Sequence, residues 1–294
     1  MGFLVALVVD GALAGVMYAP AALAFVVVYK ASRMMNFALG EWLMLGSRLV
    51  ATGIHGLGVG LVAAVGGSAA VMVGAALVFS RLVLRRLVSR PLISLIMITI
   101  GLGALMRGAS AIVFAGIPGR IGLPVPTDPL IIQGVPVAAD KVLAAAIAAV
   151  MLVAVGVFFR VSRAGVALRA IADDQQVAMT AGIDVERYFA LTWMMMGVLS
   201  VLAGTLWTVV SGSGFGVVLL GLKVFPIVII GGLDSIAGTV VGAIVIGVLE
   251  SVAAGYLDPI MGGGFSHVAS YLVLLAALFV RPHGLFGRPD VERV

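Results

Sequence analysis

The chain has 294 residues, of which 62% are hydrophobic and 11% charged, with a formal net charge of +5 and a mean hydropathy of +1.24. A soluble domain carries about 25% charged residues, so this composition excludes an ordinary globular fold and identifies an integral membrane protein. There is no cysteine, which excludes disulfides, thiolate catalysis and thiolate metal sites.

Apolar runs of about 20 residues recur along most of the chain, and predict an all-α, polytopic transmembrane bundle. The first helix is expected over about 4–28. The run from Phe3 to Val28 is too long for a signal-peptide core, lacks a basic segment before it and shows no small-residue cleavage pattern, so it is expected to persist as a helix. It ends at Lys30 and Arg33. Polar and small residues then break an apolar run from Met34 to Trp42. A short second helix, about 37–52, stops at Gly53-Ile54-His55-Gly56, and a third, about 57–80, leads into Arg81, Arg85, Arg86 and Arg90. Pro91 opens a fourth, about 91–115. The loop from Gly116 to Pro136 holds Pro118, Pro124, Pro126, Pro129 and Pro136, and a fifth helix follows at about 138–159.

Residues 160–187 form the longest polar segment. Ala164, Leu168, Ile171, Ala178 and Gly182 recur there at three- and four-residue steps, the spacing of one helix face. Asp173 and Asp174 stand at an N-cap position, Gly182 suits the residue after a helix end, and Asp184 can cap the next transmembrane helix. The pattern predicts two short helices, about 163–173 and 175–181, forming a knob outside the membrane. A bare connection needs only a few residues, so a folded one of this length is expected to touch something.

A sixth helix is expected at about 187–210, then a flexible turn from Ser211 to Gly216. Two apolar pieces, about 222–231 and 237–252, flank Gly231-Gly232-Leu233-Asp234-Ser235. The first is too short to span, which favours a broken or re-entrant pair. A last helix, about 266–280, follows Gly262-Gly263-Gly264. The total is about 8–9 membrane segments. No internal repeat or linker divides residues 1–294, which read as one transmembrane domain.

Placing 30–36, 81–90, 160–187 and the tail on one side gathers Lys30, Arg33, Arg81, Arg85, Arg86, Arg90, Arg160, Arg163, Arg169, Arg187, Arg281, Arg288 and Arg293 there. Only Arg48, Arg107, Arg120, Lys141 and Lys223 of the 18 basic residues remain elsewhere. That side is expected to be cytoplasmic, with the N-terminus outside. The basic charge is thus explained by topology, and nucleic acid is not implied.

No phosphate loop exists: Gly216 to Lys223 lacks the Gly-Lys-Ser/Thr core. His55, His267 and His283 are scattered, with no carboxylate or serine at a telling spacing, so an enzyme is not indicated. Ionisable residues in apolar runs point to function by default. Glu41 and Arg48 lie seven apart and can pair, as a structural ion pair or along a solute route. Arg107 is expected to snorkel outward, Asp234 to cap a helix and Glu250 to sit at an interface. Gly197, Gly204, Gly238, Gly242 and Gly247 suit close helix contact. Asn36, the only Asn, lies at a helix break beside Gly40, where loosened backbone can line a cavity.

The stretch Tyr29-Lys30-Ala31-Ser32-Arg33-Met34-Met35-Asn36-Phe37-Ala38-Leu39-Gly40-Glu41 resembles the Asn-Phe-Ala-x-Gly-Glu signature of LivH-type permeases of branched-chain amino acid ABC importers. Arg169-Ala170-Ile171-Ala172-Asp173, followed by Ala178, Ala181, Gly182 and Ile183, is similar to that family's ATPase-coupling loop. Gly231 to Gly238, with Glu250-Ser251, resembles its Gly-Gly-Leu-Gly-Ser-x-x-Gly segment, and Arg281-Pro282-x-Gly284-Leu285-Phe286-Gly287 resembles its ending. Leu39 stands where the family most often has His, and Asp234 where Gly is usual. The family also includes permeases for urea, short amides and aromatic or other organic acids.

The resemblance implies a permease subunit in the bacterial inner membrane. Its partners would be a sister LivM-type permease, two cytoplasmic ATPases and a periplasmic or lipid-anchored solute-binding protein, with no cofactor in this chain. Arg169, Leu168, Ile171, Asp173, Ala178 and Gly182 would couple to the ATPase. Asn36, Gly40, Glu41, Gly231, Asp234 and Ser235 would border the translocation route, the two breaks meeting as an inner gate. An ion-coupled secondary transporter is the alternative; it gains from Glu41 and Asp234 but leaves the knob without a role. An intramembrane enzyme lacks any nucleophile and base set.

Overall fold

A computed structural model describes residues 2–83, 92–122, 129–132, 135–212, 215–281 and 284–287. Among them run α1 (Gly2–Ser32), α2 (Leu39–His55), α3 (Leu61–Leu82), α4 (Leu92–Val113), β1 (Leu130–Ile132), β2 (Val135–Val137), α5 (Ala139–Val161), α6 (Arg163–Asp173), α7 (Gln175–Thr180), α8 (Val185–Ser211), α9 (Phe215–Gly231), α10 (Ile236–Tyr256), α11 (Asp258–Met261) and α12 (Phe265–Val280). Arg85, Arg86, Arg90, Pro91, Pro124, Pro126, Ser213, Gly214, Pro282, His283, Arg288 and Arg293 lie outside the described residues.

Six helices, α1, α3, α4, α5, α8 and α10, are long and apolar enough to cross a membrane, and α9 and α12 are shorter apolar helices. The protein is a multi-pass helical bundle built around α1. Every residue of α1 from Met17 to Val28 is buried, as expected of a helix that is apolar on all sides. Pro20 lies within it, and neighbouring helices can accommodate such a break in the backbone ladder. α10, α8, α5 and α9 surround α1, whereas α3 and α4 bury only narrow stripes.

Small residues set these contacts. A Cβ on Gly247 would lie 2.4 Å from the carbonyl oxygen of Gly11, one on Gly204 would lie 2.2 Å from that of Leu43, and one on Gly242 would lie 2.5 Å from that of Ile227. Lipid supplies no hydrophobic drive between helices, so close backbone approach takes its place. Gly197, Gly204, Gly238, Gly242 and Gly247 all meet a neighbouring backbone in this way.

Two elements differ from expectation. The loop before α5 contains an antiparallel hairpin pairing Leu130 with Val137 and Ile132 with Val135. The apolar piece expected at about 222–231 begins at Phe215 and runs 17 residues, through Pro226. At 1.5 Å per residue it is about 25 Å long, close to the ~30 Å hydrocarbon core. The turn after α8 is correspondingly short, and α9 with α10 forms a helical hairpin.

Candidate functional site

The polar segment folds as its sequence predicts. Ser162 closes α5 and caps α6, accepting from Gly165 N at 2.8 Å. Asp174 caps α7, accepting from Gln176 N and Val177 N, and Asp184 caps α8. Gly182, at φ +83°, makes the left-handed turn between them, where a side chain would be strained. Leu168 joins the main core, while Ile171 and Ala178 form a small cluster with Val185. These three were expected to touch an ATPase directly; the structure turns them inward, because the apolar stripe of α6 and α7 packs against the bundle. The exposed large apolar residues of the knob are Val166, Val177 and Met179, with Val177 61% exposed. Arg169 holds the knob to α5 by donating to the Phe159 carbonyl. Asp173 ends α6 on the exposed side.

The knob also touches the first break. Arg33 donates to the Ala172 carbonyl at the end of α6, at 3.3 Å. Arg33 is the one non-glycine residue with positive φ among the described residues, at 54°, and the chain leaves α1 there. Asn36 Oδ1 accepts from Ala38 N at 3.0 Å, a local turn that opens α2. Its Nδ2 is buried with no hydrogen-bond partner among the described residues. Phe37 N donates to Thr99 Oγ1 on α4 at 3.3 Å.

Glu41, in the first turn of α2 and 3% exposed, pairs with Arg107. Its carboxylate lies over Gly103, where a Cβ would stand 3.1 Å away. Thr99, Gly103 and Arg107 therefore present one stripe of α4 to the break, and the helix N-terminus adds favourable field. This corrects two expectations: Arg48 donates instead to the Ile117 carbonyl, and Arg107 folds onto Glu41 rather than simply snorkelling. Gly40 meets α9, at Val218 and Gly221.

The second break has different neighbours. Gly231 abuts Gly238, and Gly232, at φ +105°, abuts Gly287. The tail closes this turn, Leu285 N donating to the Ile230 carbonyl at 2.7 Å and Phe286 N to that of Gly231 at 3.2 Å. Ser235, not Asp234, caps α10 by accepting from Gly238 N, because the residue immediately before the helix is the one whose side chain reaches the open N–H. Asp234 offers its carbonyl to Lys30 Nζ at 3.2 Å. Lys30 thus ties the second break to the end of α1, just before the first.

One cluster escaped the sequence. Glu250, expected at an interface, is buried and accepts from Tyr18 Oη and Lys223 Nζ, both at 2.9 Å, and from Ser270 Oγ at 2.8 Å. The available signal was that both Glu250 and Lys223 interrupt apolar runs.

A polytopic bundle with a helix broken at a buried, paired carboxylate and a folded extramembrane knob is the architecture of a membrane permease. The chain belongs to the family described as branched-chain amino acid transport system / permease component, whose model matches residues 7–280. It is 34% identical over 149 residues to the high-affinity branched-chain amino acid transport system permease protein LivH of Escherichia coli (strain K12), covering 49% of this chain and 46% of that protein. It is 28% identical to the corresponding permease protein BraD of Pseudomonas aeruginosa over 97% of this chain and 96% of that protein. A probable LivH of Methanocaldococcus jannaschii is 33% identical over 147 residues. The matched segment spans about half the length of the LivH relatives. No solved structure matches.

Proposed function

We propose that this chain is the transmembrane permease subunit of a binding-protein-dependent ABC importer in the bacterial inner membrane. It translocates a small polar solute: a branched-chain amino acid, or a related amide or organic acid. The family match supports the class, and the observation that carries the mechanism is the capped two-helix knob tied to the first break by Arg33 and Ala172. Residues 1–294 act as one permease domain with nine membrane segments, α2, α9 and α12 beside the six long helices, the upper end of the expected 8–9, with the N-terminus outside.

In this reading two cytoplasmic ATPases close on ATP, and one carries the knob with it. Val166, Val177, Met179 and Gly182 form the contact surface. Leu168, Ile171 and Ala178 act from within, keeping the two helices a rigid unit, while Arg169 and Asp173 anchor and end α6. Movement passes through Arg33 to the break, where Asn36, Gly40 and Glu41 border the route, and through Lys30 to Gly231, Asp234 and Ser235. Backbone freed by a helix break is tolerated at membrane depth only against protein or water, which suits a gate. A sister LivM-type permease completes the pore, and a periplasmic or lipid-anchored binding protein delivers solute.

The test is purification of the tagged chain from its own membranes. ATPase and sister-permease chains are expected with it, and Gly182→Trp is expected to keep the sister permease while losing the ATPase and solute-stimulated ATP hydrolysis. Normal ATPase association in that variant would make the knob a mere connector.

A further inference from the structure

Between α5, α10, the end of α1 and the knob, a groove of about 450 Å³ opens on the outside of the bundle. Its walls are apolar, with Val153, Gly156 and Val157 on α5 and Ile236 and Val240 on α10. Val153 and Val157 are 65% and 51% exposed, so this face of α5 is left uncovered by the chain itself. Gly156 deepens the groove, since a Cβ there would meet nothing within 4 Å. From Val153 to Arg160 the helix rises about 10 Å. The groove therefore reaches from the end of α5 into the hydrocarbon layer.

Three cations stand at its knob end: Lys30 of α1, Arg160 of α5 and Arg169 of α6. Two of them are held in place by main-chain carbonyls. Lys30 Nζ donates to that of Asp234 at 3.2 Å, and Arg169 donates to that of Phe159. A guanidinium has five donors, and Arg169 uses one there. Arg160, in the last turn of α5, is exposed and makes no hydrogen bond or ion pair among the described residues. No carboxylate lines the groove among the described residues.

Excess positive charge at one end of an apolar slot selects the occupant. A soluble anion would answer the cations and leave the apolar walls unused, and a neutral acyl chain would do the reverse. A molecule with an anionic head and an apolar tail meets both at once. Guanidinium groups suit phosphate because they can grip it bidentately, and basic pockets between transmembrane helices at the membrane edge hold anionic headgroups. We propose that this groove binds one anionic phospholipid, its phosphate at Lys30, Arg160 and Arg169 and an acyl chain over Gly156 between α5 and α10. A zwitterionic headgroup fits less well, because its own cation would face three others. The lipid would bridge the knob, through Arg169, to α5 and α10. This site is separate from the solute route and does not depend on which solute is carried.

The test is native mass spectrometry of the purified full chain in a neutral detergent, with dioleoylphosphatidylglycerol as probe. Dioleoylphosphatidylcholine and glycerol phosphate compete against it. The chain is expected to retain one phosphatidylglycerol, phosphatidylcholine to bind at least about fivefold more weakly, and glycerol phosphate not to displace the lipid. Gly156→Leu fills the groove and leaves the cations in place, whereas Arg160→Gln removes the cation that makes no other contact. Arg163→Gln removes an exposed cation of the knob that does not line the groove. The first two variants are expected to weaken phosphatidylglycerol binding about fivefold or more, and the third to leave it unchanged. Thermal melts without added lipid check the folding of each, and the wild-type competition decides the headgroup whatever a variant does. Equal retention of the two lipids, displacement by glycerol phosphate, wild-type affinity in Gly156→Leu, or equal losses in Arg160→Gln and Arg163→Gln would each overturn the proposal. So would a lipid-free dimer that Gly156→Leu disperses, which would give the groove to a second copy of the chain.

Discussion

Gly40 on α2 and Gly221 on α9 touch backbone to backbone: a Cβ on Gly221 would stand 2.4 Å from the Gly40 Cα. The contact fixes the start of α2 just past the break, so its geometry is set by two absent side chains. Gly221→Ala is expected to destabilise the bundle by about 1–3 kcal/mol, the usual cost of overpacking a tight site. Gly66→Ala, on α3 where nothing lies within 4 Å, is expected to be neutral or slightly stabilising. Thermal melts of the two purified variants check the contrast.

The Glu41–Arg107 pair should behave as a unit. Arg107→Met leaves a carboxylate buried without its cation, and Glu41→Gln removes the carboxylate with which the arginine pairs. The double variant is expected to be more stable than the sum of single losses predicts, with a coupling of about 0.5–3 kcal/mol. Arg48→Met combined with Glu41→Gln should instead be additive, since Arg48 bonds the Ile117 carbonyl. A denaturation series on the four chains of each cycle measures both.

Topology can be mapped cleanly in a chain without cysteine. Gln175→Cys in the knob is expected to react with impermeant maleimide only from the cytoplasmic side. Ile131→Cys, 77% exposed in the hairpin, is expected to react only from outside. Labelling of position 175 from outside would invert the arrangement.

The start of α12 carries a pH dependence. Asp258 accepts from Ser266 N at 2.8 Å and Ser266 Oγ at 2.9 Å, and the Ser266 backbone hydrogen bond foremost holds its carboxyl below the usual carboxylate range. A depressed folded-state pKa means the contribution is present at neutral pH and is lost as pH falls through that lowered value. Acidification below about pH 4, the ordinary Asp range, should therefore loosen the start of α12 in the wild type. Asp258→Asn should lack that acid-dependent step in hydrogen exchange of residues 265–268.

Local signals were readable in the sequence and long-range ones were not. α6 and α7, the α7 cap Asp174 and the α8 cap Asp184 follow from spacing within a few residues. The start of α9 was hidden because Gly and Ser at 211–216 favour a turn locally, whereas α9 is held by Gly40 across the bundle. Arg107, the partner of Glu41, lies 66 residues away along the chain, and Tyr18, one of three partners of Glu250, lies 232 away, and no periodicity carries that information. Asp234 looked like the cap because it precedes an apolar run, yet Ser235 stands one place nearer the open N–H group.

The tail bonds from Leu285 and Phe286 to Ile230 and Gly231 also impose an order in time. Synthesis proceeds from the N-terminus at about 5–20 residues per second, so the α9–α10 turn emerges well before the segment that satisfies its carbonyls. Until α12 has been inserted, those oxygens must be served by water or lipid headgroups. The hairpin therefore cannot be locked while the ribosome is still working on it, and it is closed only by a segment made after α12.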